Sequence, residues 1–266
     1  MRLLRNIAIL LAGALVLLYF AAFALLVGWQ RDLLFIGTQY GAAPLARGYT
    51  AHIVREHDGT ALTVWAMAPK RAGAPTVVFF YGNGGRLYHF AQVGRVLNAD
   101  GYGILLASYR GYSGNAGRPS ESGLMDDARA ILSGMPAAKT ILWGQSLGTG
   151  VAARMASEGR GFLLILQSPY TAVVDVAAMR FPIYPVRMAM WDRFDTLSIV
   201  DKIEVPVLIL HGTADRTVPF AMGGILASRL GARATLVPIA HGTHDLLPSE
   251  LLPPARAWLA RLGGMR

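Results

Sequence analysis

The chain opens with one long apolar segment and continues as short apolar runs that alternate with amphipathic segments. The long segment carries no charged residue from Ile7 to Trp29. Further along, short apolar runs bounded by glycine, proline and small polar residues predict buried strands, and the spacing of apolar positions between them predicts helices. These strands are predicted at 76–80, 102–107, 140–143, 163–166, 207–210 and 235–238, with helices near 86–99, 121–134, 147–158, 220–230 and 250–261.

Two strand-like runs precede this alternation, at 52–55 and 61–65, and the Asp58-Gly59 pair between them predicts a hairpin turn. Continuous apolar strands separated by helices indicate a mainly parallel sheet that is covered by helices on both faces. We therefore predict an α/β fold. Ligands of such sheets bind beyond the carboxyl ends of the strands, so polar residues just after strands are the first candidates for a site.

A helix made of the first apolar segment is long enough to cross the roughly 30 Å core of a bilayer. A cleaved signal peptide is one alternative, but its apolar region usually has only about 7–15 residues. The small-x-small pattern that a cleavage site would need, at Ala22-Phe23-Ala24, lies inside the apolar run. A buried core helix is a second alternative. We expect a retained membrane anchor.

Charges that flank the span predict its orientation. Arg2 and Arg5 precede it, whereas Arg31 and Asp32 nearly cancel after it. The positive-inside rule then places the N-terminus in the cytoplasm and the hydrophilic remainder on the non-cytoplasmic side, periplasmic or extracellular. We predict a membrane anchor at 1–29 with its span at about 7–29, a juxtamembrane connector at 30–49, and one folded domain at 50–266.

Charge and cysteine content exclude several kinds of function. The net charge is +9, but the arginines are scattered and form no basic run, so we expect no nucleic-acid partner. A basic surface close to anionic lipid headgroups explains the charge better. The chain has no cysteine, which excludes disulfides, cysteine nucleophiles and thiolate metal sites. We expect neither a metal nor an organic cofactor.

The main candidate for chemistry is the segment Gly144-Gln145-Ser146-Leu147-Gly148. It follows a predicted strand and precedes a predicted helix, which is the context of a nucleophile elbow. Such a turn exposes the serine hydroxyl at the edge of the sheet, and glycines allow the strand and helix to approach closely. The motif also arises by chance, so the interpretation depends on finding a base, an acid and an oxyanion hole.

Candidates for the acid and the base also follow predicted strands. Asp215 comes after the strand at 207–210, although an aspartate that caps the next helix is the ordinary interpretation. His241 and His244 come after the strand at 235–238, and either could act as the base that activates a serine. Asp245 is the chain neighbour of His244 and cannot easily orient its ring. We expect His211, at a strand end, to be a packed or turn-stabilising residue.

An oxyanion that forms during acyl transfer needs two N–H donors. The N–H of Leu147, directly after the serine, is one expected donor. The second is expected near Asn83 and Gly84, in a glycine-rich loop that follows the predicted strand at 76–80. An ordinary glycine-rich turn is the alternative interpretation of this loop.

Several separate segments resemble the α/β-hydrolase superfamily, and within it the single-pass, membrane-anchored α/β-hydrolase-domain proteins. The resemblance extends from about Gln30 to the C-terminus. Residues 81–85 resemble the family's His-Gly-Asn-Ala/Gly oxyanion loop, with Tyr81 in place of the histidine. The family's Tyr-Arg-Gly-Tyr and Gly-x-Pro-Ser-Glu-x-Gly block, and three shorter motifs, match residues 109–114, 117–124, 168–171, 192–195 and 206–212.

The resemblance implies a Ser146–His244–Asp215 triad, because the family's catalytic histidine lies in a Gly-x-His-Asn/Asp segment that Gly242-Thr243-His244-Asp245 matches. It implies a serine hydrolase that cleaves ester or thioester bonds of acyl or lipid-like substrates through an acyl-enzyme. The residues at about 170–195, rich in Met, Phe, Tyr and Pro, are expected to form a short lid over an acyl pocket, with plain core packing as the alternative. A serine peptidase of the aminopeptidase or prolyl-oligopeptidase type and a non-catalytic binding protein remain alternative functions.

Overall fold

Eight strands of the computed structural model, which describes residues 1–85 and 87–263, form one sheet. The strands are β1 Thr50–Arg55, β2 Ala61–Met67, β3 Thr76–Phe80, β4 Gly103–Leu106, β5 Thr140–Gln145, β6 Leu163–Gln167, β7 Val207–Gly212 and β8 Ala234–Ile239. Their order across the sheet is β1-β2-β4-β3-β5-β6-β7-β8. The six strands from β3 to β8 are parallel, and the hairpin β1–β2 is antiparallel. The predicted α/β fold and its hairpin are confirmed.

Nine α-helices are assigned in the described part of the chain. They are α1 Arg2–Gly28, α2 Gln30–Leu34, α3 Leu87–Ala99, α4 Glu121–Ile131, α5 Leu147–Ser157, α6 Val173–Arg180, α7 Val186–Ala189, α8 Phe220–Leu230 and α9 Pro248–Gly263.

The direction in which the chain moves across the sheet decides which face each helix covers. The connection through α3 runs from β3 outward to β4, whereas those through α4, α5 and α8 run the opposite way. Because parallel crossovers are right-handed, α3 lies on one face and the other three helices lie on the opposite face. The last helix, α9, packs against α3. Helices therefore cover both faces, as predicted.

The segment between α1 and β1 is folded against the sheet domain rather than extended. The side chain of Phe35 is almost fully buried and packs edge-on against Phe194, with ring centroids 6.3 Å apart. The Tyr49 hydroxyl donates to the carbonyl of Ala91 in α3 at 3.0 Å. Because these contacts hold both ends of the connector, they also hold the C-terminal end of α1 close to the sheet.

The first helix is long and apolar enough to cross a membrane by length and composition, and it is the one helix of this kind in the described residues. In its C-terminal half, Tyr19 and Phe23 contact the turn between α6 and α7. These two helices and their turn follow β6 and cover the carboxyl edge of the sheet. We call residues 170–195 the lid segment. The long apolar helix and the lid segment are thus neighbours.

Candidate active site

Ser146 occupies the sharp turn between β5 and α5. Its φ angle is 47°, in the left-handed region that non-glycine residues rarely adopt. Its N–H donates to the carbonyl of Gln167 in the neighbouring strand at 2.9 Å, which ties the strained turn to the sheet. Strain held in this way by surrounding structure is common at functional sites.

Two glycines are required for this turn. A Cβ atom at Gly144 would lie 2.4 Å from the carbonyl oxygen of Gly148, and a Cβ atom at Gly148 would lie 2.0 Å from that of Phe80. Neither separation is compatible with a side chain. The N-terminus of α5 therefore packs directly against β3 and β5, and the Ser146 hydroxyl is left at the carboxyl edge of the sheet.

Ser146, His244 and Asp215 form a chain of hydrogen bonds. The Nε2 atom of His244 lies 2.9 Å from the Ser146 hydroxyl, and its Nδ1 atom lies 2.8 Å from Oδ2 of Asp215. A neutral imidazole with its proton on Nδ1 would donate to Asp215 and accept from Ser146. The structure thus brings together the serine, the acid and one of the two candidate bases.

Asp215 is held by donors on both of its carboxylate oxygens. Oδ1 accepts from the N–H groups of Thr217 and Val218, each at 2.8 Å, so the turn-capping role expected of an ordinary aspartate is also present. Oδ2 faces His244 and lies 3.3 Å from Nε2 of His211. Burial raises the pKa of Asp215, but the hydrogen bonds from His211 and His244 outweigh it and hold that pKa well below its usual range.

His244 is positioned by its loop rather than by its chain neighbours. The hydroxyl of Ser168 donates to the backbone carbonyl of His244 at 3.0 Å. In the same loop, the N–H of Ala214 donates to the carbonyl of Gly242 at 2.9 Å, which ties the loop after β8 to the loop after β7. The imidazole remains partly exposed.

His241, the other candidate base, is exposed and has a positive φ angle of 57°. Its N–H donates to the Thr213 hydroxyl at 3.0 Å. Among the described residues no side-chain hydrogen bond links His241 to Ser146 or Asp215. Its contribution is therefore to the shape of the loop that carries His244.

The loop after β3 lies directly beside the serine. A Cβ atom at Gly82 would lie 3.1 Å from Cβ of Ser146. The hydroxyl of Tyr112 donates to the carbonyl of Asn83 at 3.1 Å, and the N–H of Gly37 donates to the same oxygen at 2.8 Å. These bonds fix the peptide groups of the predicted oxyanion loop.

The three N–H groups predicted as oxyanion donors are those of Asn83, Gly84 and Leu147. Within the described ranges 1–85 and 87–263, none of the three has a hydrogen-bond acceptor. An N–H without an acceptor near the nucleophile is available to a developing oxyanion. Their role in an oxyanion hole stays a prediction.

Tyr81, which stands where the family has histidine, is fully buried beneath this loop. Its hydroxyl lies 2.8 Å from that of Ser108, and Tyr109 donates to the carbonyl of Tyr81 at 3.1 Å. Burial raises the pKa of Tyr81 to about 12, so the phenol is neutral. Together with Tyr112, the tyrosines form a packed cluster that supports the loop from below.

Sequence reasoning missed part of the site. His211 is completely buried, as expected, but it also contacts the carboxylate of Asp215. The spacing of four residues between His211 and Asp215 around one turn was the available signal. Nothing local to Tyr112, Ser168 or Gly37 indicates that they hold the site's loops, because their partners lie far away in the chain.

A cavity of about 610 Å³ lies between the lid segment and the C-terminal half of α1. Asn83 and Thr217 line its inner end, next to the loops that carry Ser146 and Asp215. Its walls are mostly apolar, and its volume lies within the roughly 300–1,000 Å³ of small-molecule sites. Over the described part of the chain there is no cluster of three or more side chains suited to a metal ion.

Comparison with known proteins identifies the family. The family model described as "alpha/beta hydrolase fold" matches residues 75–160. An uncharacterized protein of Mycobacterium tuberculosis is 33% identical over 210 residues, which cover 75% of each chain. A lysophosphatidylserine lipase of Danio rerio, ABHD12, is 31% identical over 187 residues, which cover 60% of this chain and 48% of the lipase.

Solved structures agree on the fold. The esterase Est1E from Butyrivibrio proteoclasticus superposes with a TM-score of 0.67 at 21% identity, covering 79% of this chain and 98% of Est1E. The strand order of the sheet, the sharp turn at Ser146 and the segment that the family model matches are all consistent with the α/β-hydrolase fold. The chain is a member of the α/β-hydrolase family.

Proposed function

We propose that the protein is a serine hydrolase that cleaves carboxylic-ester or thioester bonds of acyl substrates. The observation that carries the proposal is the hydrogen-bond chain from Ser146 through His244 to Asp215, with distances of 2.9 and 2.8 Å. A serine hydroxyl is a weak nucleophile, and an oriented imidazole is the group that activates it.

The chemistry would proceed in two halves. His244 takes the proton of Ser146 as its Oγ attacks the acyl carbonyl carbon, while Asp215 stabilises the resulting imidazolium. N–H groups of Leu147 and of the Asn83–Gly84 segment donate to the oxyanion. His244 then protonates the leaving alcohol or thiol, and the acyl group remains on the serine. A water molecule deprotonated by His244 releases the acid and restores Ser146.

The cavity supports acyl or lipid-like substrates over peptides. Its lining is mostly apolar. Peptidases on this fold carry large substrate-binding insertions, and this chain has little room for them. Two exposed arginines, Arg180 and Arg216, also line it and have no ion-pair partner among the described residues. Their charge suits an anionic headgroup, as in the substrate class named for the ABHD12 relative.

Membrane anchoring is the second part of the proposal. We propose that 1–29 is a retained anchor with its N-terminus in the cytoplasm, 30–49 a connector, and 50–266 the hydrolase domain on the non-cytoplasmic side. The uncharged stretch from Ile7 to Trp29, most of which lies in α1, and the basic residues Arg2 and Arg5 before that stretch support this arrangement.

The test is active-site labelling of the full chain in detergent micelles with a fluorophosphonate. We expect Ser146→Ala to abolish labelling and to lower p-nitrophenyl ester hydrolysis by about 10³-fold or more. Ser157→Ala, in the same helix but with its hydroxyl bonded to the carbonyl of Arg154, is the matched control and should label like wild type. Folded wild-type protein without labelling would disprove an activated serine and favour a binding protein.

A further inference from the structure

One face of α1 is covered by the rest of the protein. Tyr19, Phe23, Leu26 and Val27 are half-buried, whereas the opposite face is exposed along its whole length. The spacing of three or four residues places them along one stripe of the helix. The C-terminal half of α1 therefore does more than connect the domain to a membrane, because it forms an interface with the domain.

The tip of the lid segment holds the middle of the helix. The hydroxyl of Tyr19 donates to the carbonyl of Ile183 at 2.8 Å. The rings of Tyr19 and Phe23 stack on Tyr184, with centroids 5.1 and 5.6 Å away. Tyr19 lies well inside the apolar run, about 14 Å of helix before its end at Gly28. The lid tip thus contacts the helix where we expect it to be inside the bilayer.

The end of the lid segment holds α2, the short helix that directly follows α1. The N–H of Trp191 donates to the side-chain oxygen of Gln30 at 2.9 Å, and Arg31 pairs with Asp192 at 2.7 Å. Asp192 also accepts from the N–H of Glu121 at the start of α4, so this pair is tied to the domain. Two sets of contacts, one at Tyr19 and Phe23 and the other at Gln30 and Arg31, therefore fix α1 and α2 against the lid segment.

The cavity lies between these two sets of contacts. On one side it is lined by Phe23, Leu26 and Val27 of α1, and on the other by Val176 and Met190 of the lid segment. Its inner end reaches Asn83, beside the proposed nucleophile. The apolar side chains on both walls match a hydrocarbon chain, whereas the arginines Arg180 and Arg216 of the same cavity match a charged headgroup.

The outer surface of the lid segment is unusually apolar. Ile183 and Met188 are 69% and 88% exposed, and Trp191 is 59% exposed. Ile183 lies beside Tyr19 in α1, whereas Trp191 lies beside Gln30, just after the end of α1, where Trp29 is also exposed. Apolar surface of this kind is unfavourable in water but suits the boundary of a bilayer, where tryptophan is enriched. The continuous apolar helix beside it identifies the bilayer as the occupant.

We propose that the last turns of α1 form one wall of the acyl-chain site, and that this site opens toward the bilayer. A single-chain amphiphile would pass from the membrane between α1 and the lid segment, with its acyl carbonyl at Ser146. The proposal rests on the proposed function and adds a substrate-binding role for the anchor. It assigns chain-length selectivity to Phe23, Leu26 and Val27.

The experiment compares p-nitrophenyl butyrate with p-nitrophenyl laurate in micelles of one detergent. Leu26→Trp fills the cavity from the helix side, so we expect the laurate-to-butyrate ratio of kcat/KM to fall by about tenfold or more, as for a lost hydrophobic fit. Leu25→Trp is the matched control: it is the preceding residue, it is exposed, and it does not line the cavity. Its ratio should stay within about twofold of wild type.

Fluorophosphonate labelling of each variant separates the possible failures. A labelled Leu26→Trp protein with an unchanged ratio overturns the wall proposal and leaves the proposed function intact. Wild-type protein that does not label overturns the proposed function itself. If the Leu26→Trp protein does not label, Leu26→Ala takes its place. This variant enlarges the cavity, so the laurate-to-butyrate ratio of kcat/KM must change in the labelled protein. An unchanged ratio there overturns the proposal.

Discussion

At the scale of single residues, Asp215 combines two roles that the sequence presents as alternatives. One carboxylate oxygen caps the turn before α8, and the other is shared between His244 and His211. A carboxylate with this many donors is strongly favoured in its charged form. Both roles depend on that charge, so the same group orients His244, the proposed base, and stabilises the loop.

We therefore expect Asp215→Asn to lower kcat by about 10³–10⁴-fold, since an amide favours the wrong imidazole tautomer. The pKa of Asp215 is lowered in the folded state, so its stabilisation is present above its unfolded pKa of about 3.9 and is lost as pH falls. The difference in melting temperature between wild type and variant should therefore be largest near neutral pH, begin to shrink as the pH falls below about 5, and vanish only below the lowered pKa of the folded state.

Asp245→Asn is the control for this prediction. Asp245 is exposed and adjacent to His244 in the chain, yet no hydrogen bond joins the two side chains among the described residues. The variant should retain near wild-type turnover and the wild-type pH profile of stability. Equal losses in both variants would show that general charge near His244 matters, rather than the bond from Asp215.

At the scale of elements, the decisive feature is the close approach of β3, β5 and α5 around Ser146. The approach exists because Gly144 and Gly148 leave no side chain between the backbones. Backbone contact of this kind cannot relax by changing a rotamer. The elbow should therefore tolerate no substitution at Gly148, even by alanine.

Gly148→Ala should lower the free energy of unfolding by at least about 1–3 kcal/mol, because its Cβ atom would lie 2.0 Å from the carbonyl oxygen of Phe80. Thermal or urea unfolding in detergent micelles measures the change. Gly224→Ala, in α8 with open space around it, is the control and should be neutral or slightly stabilising. Equal stability of both variants would contradict the close approach.

At the scale of the whole molecule, the apolar helix, the lid segment and the active site form one continuous arrangement. The lid segment contacts α1 at Tyr19 and Phe23, and it contacts the following helix α2 at Gln30 and Arg31. A membrane plane drawn across α1 therefore contains the lid tip as well. The hydrolase domain would contact the bilayer through two apolar elements, α1 and the lid segment, rather than through α1 alone.

Depth measurements test this arrangement directly. The chain has no cysteine, so a single nitroxide label can be attached at Ile183→Cys or, as the control, at Ile53→Cys in β1. In lipid nanodiscs, oxygen should relax the label at 183 more strongly than a water-soluble nickel complex does, because apolar oxygen concentrates in the bilayer. The label at 53 should show the reverse, and identical accessibility at both positions would contradict a membrane-inserted lid.

Local pattern determined much of this protein. Apolar runs and helical spacing predicted the α/β fold, and Ser146, His244 and Asp215 each followed a predicted strand, as the edge geometry of a parallel sheet requires. The choice of His244 over His241 needed the resemblance to a family, because both follow the same strand. The carboxyl ends of parallel strands lie at the same edge of a sheet, so the candidate catalytic residues could be identified from the sequence alone.

Only the tertiary structure decided how these residues are supported and what surrounds them. The bond from Tyr112 to Asn83, the bond from Ser168 to the carbonyl of His244, and the pairing of Arg31 with Asp192 join segments that are far apart in the chain. Sequence periodicity reports which face of an element is apolar, but it does not report which distant element covers that face. For this reason α1 could be identified from sequence as an apolar helix, whereas its place beside the lid and the cavity required the fold.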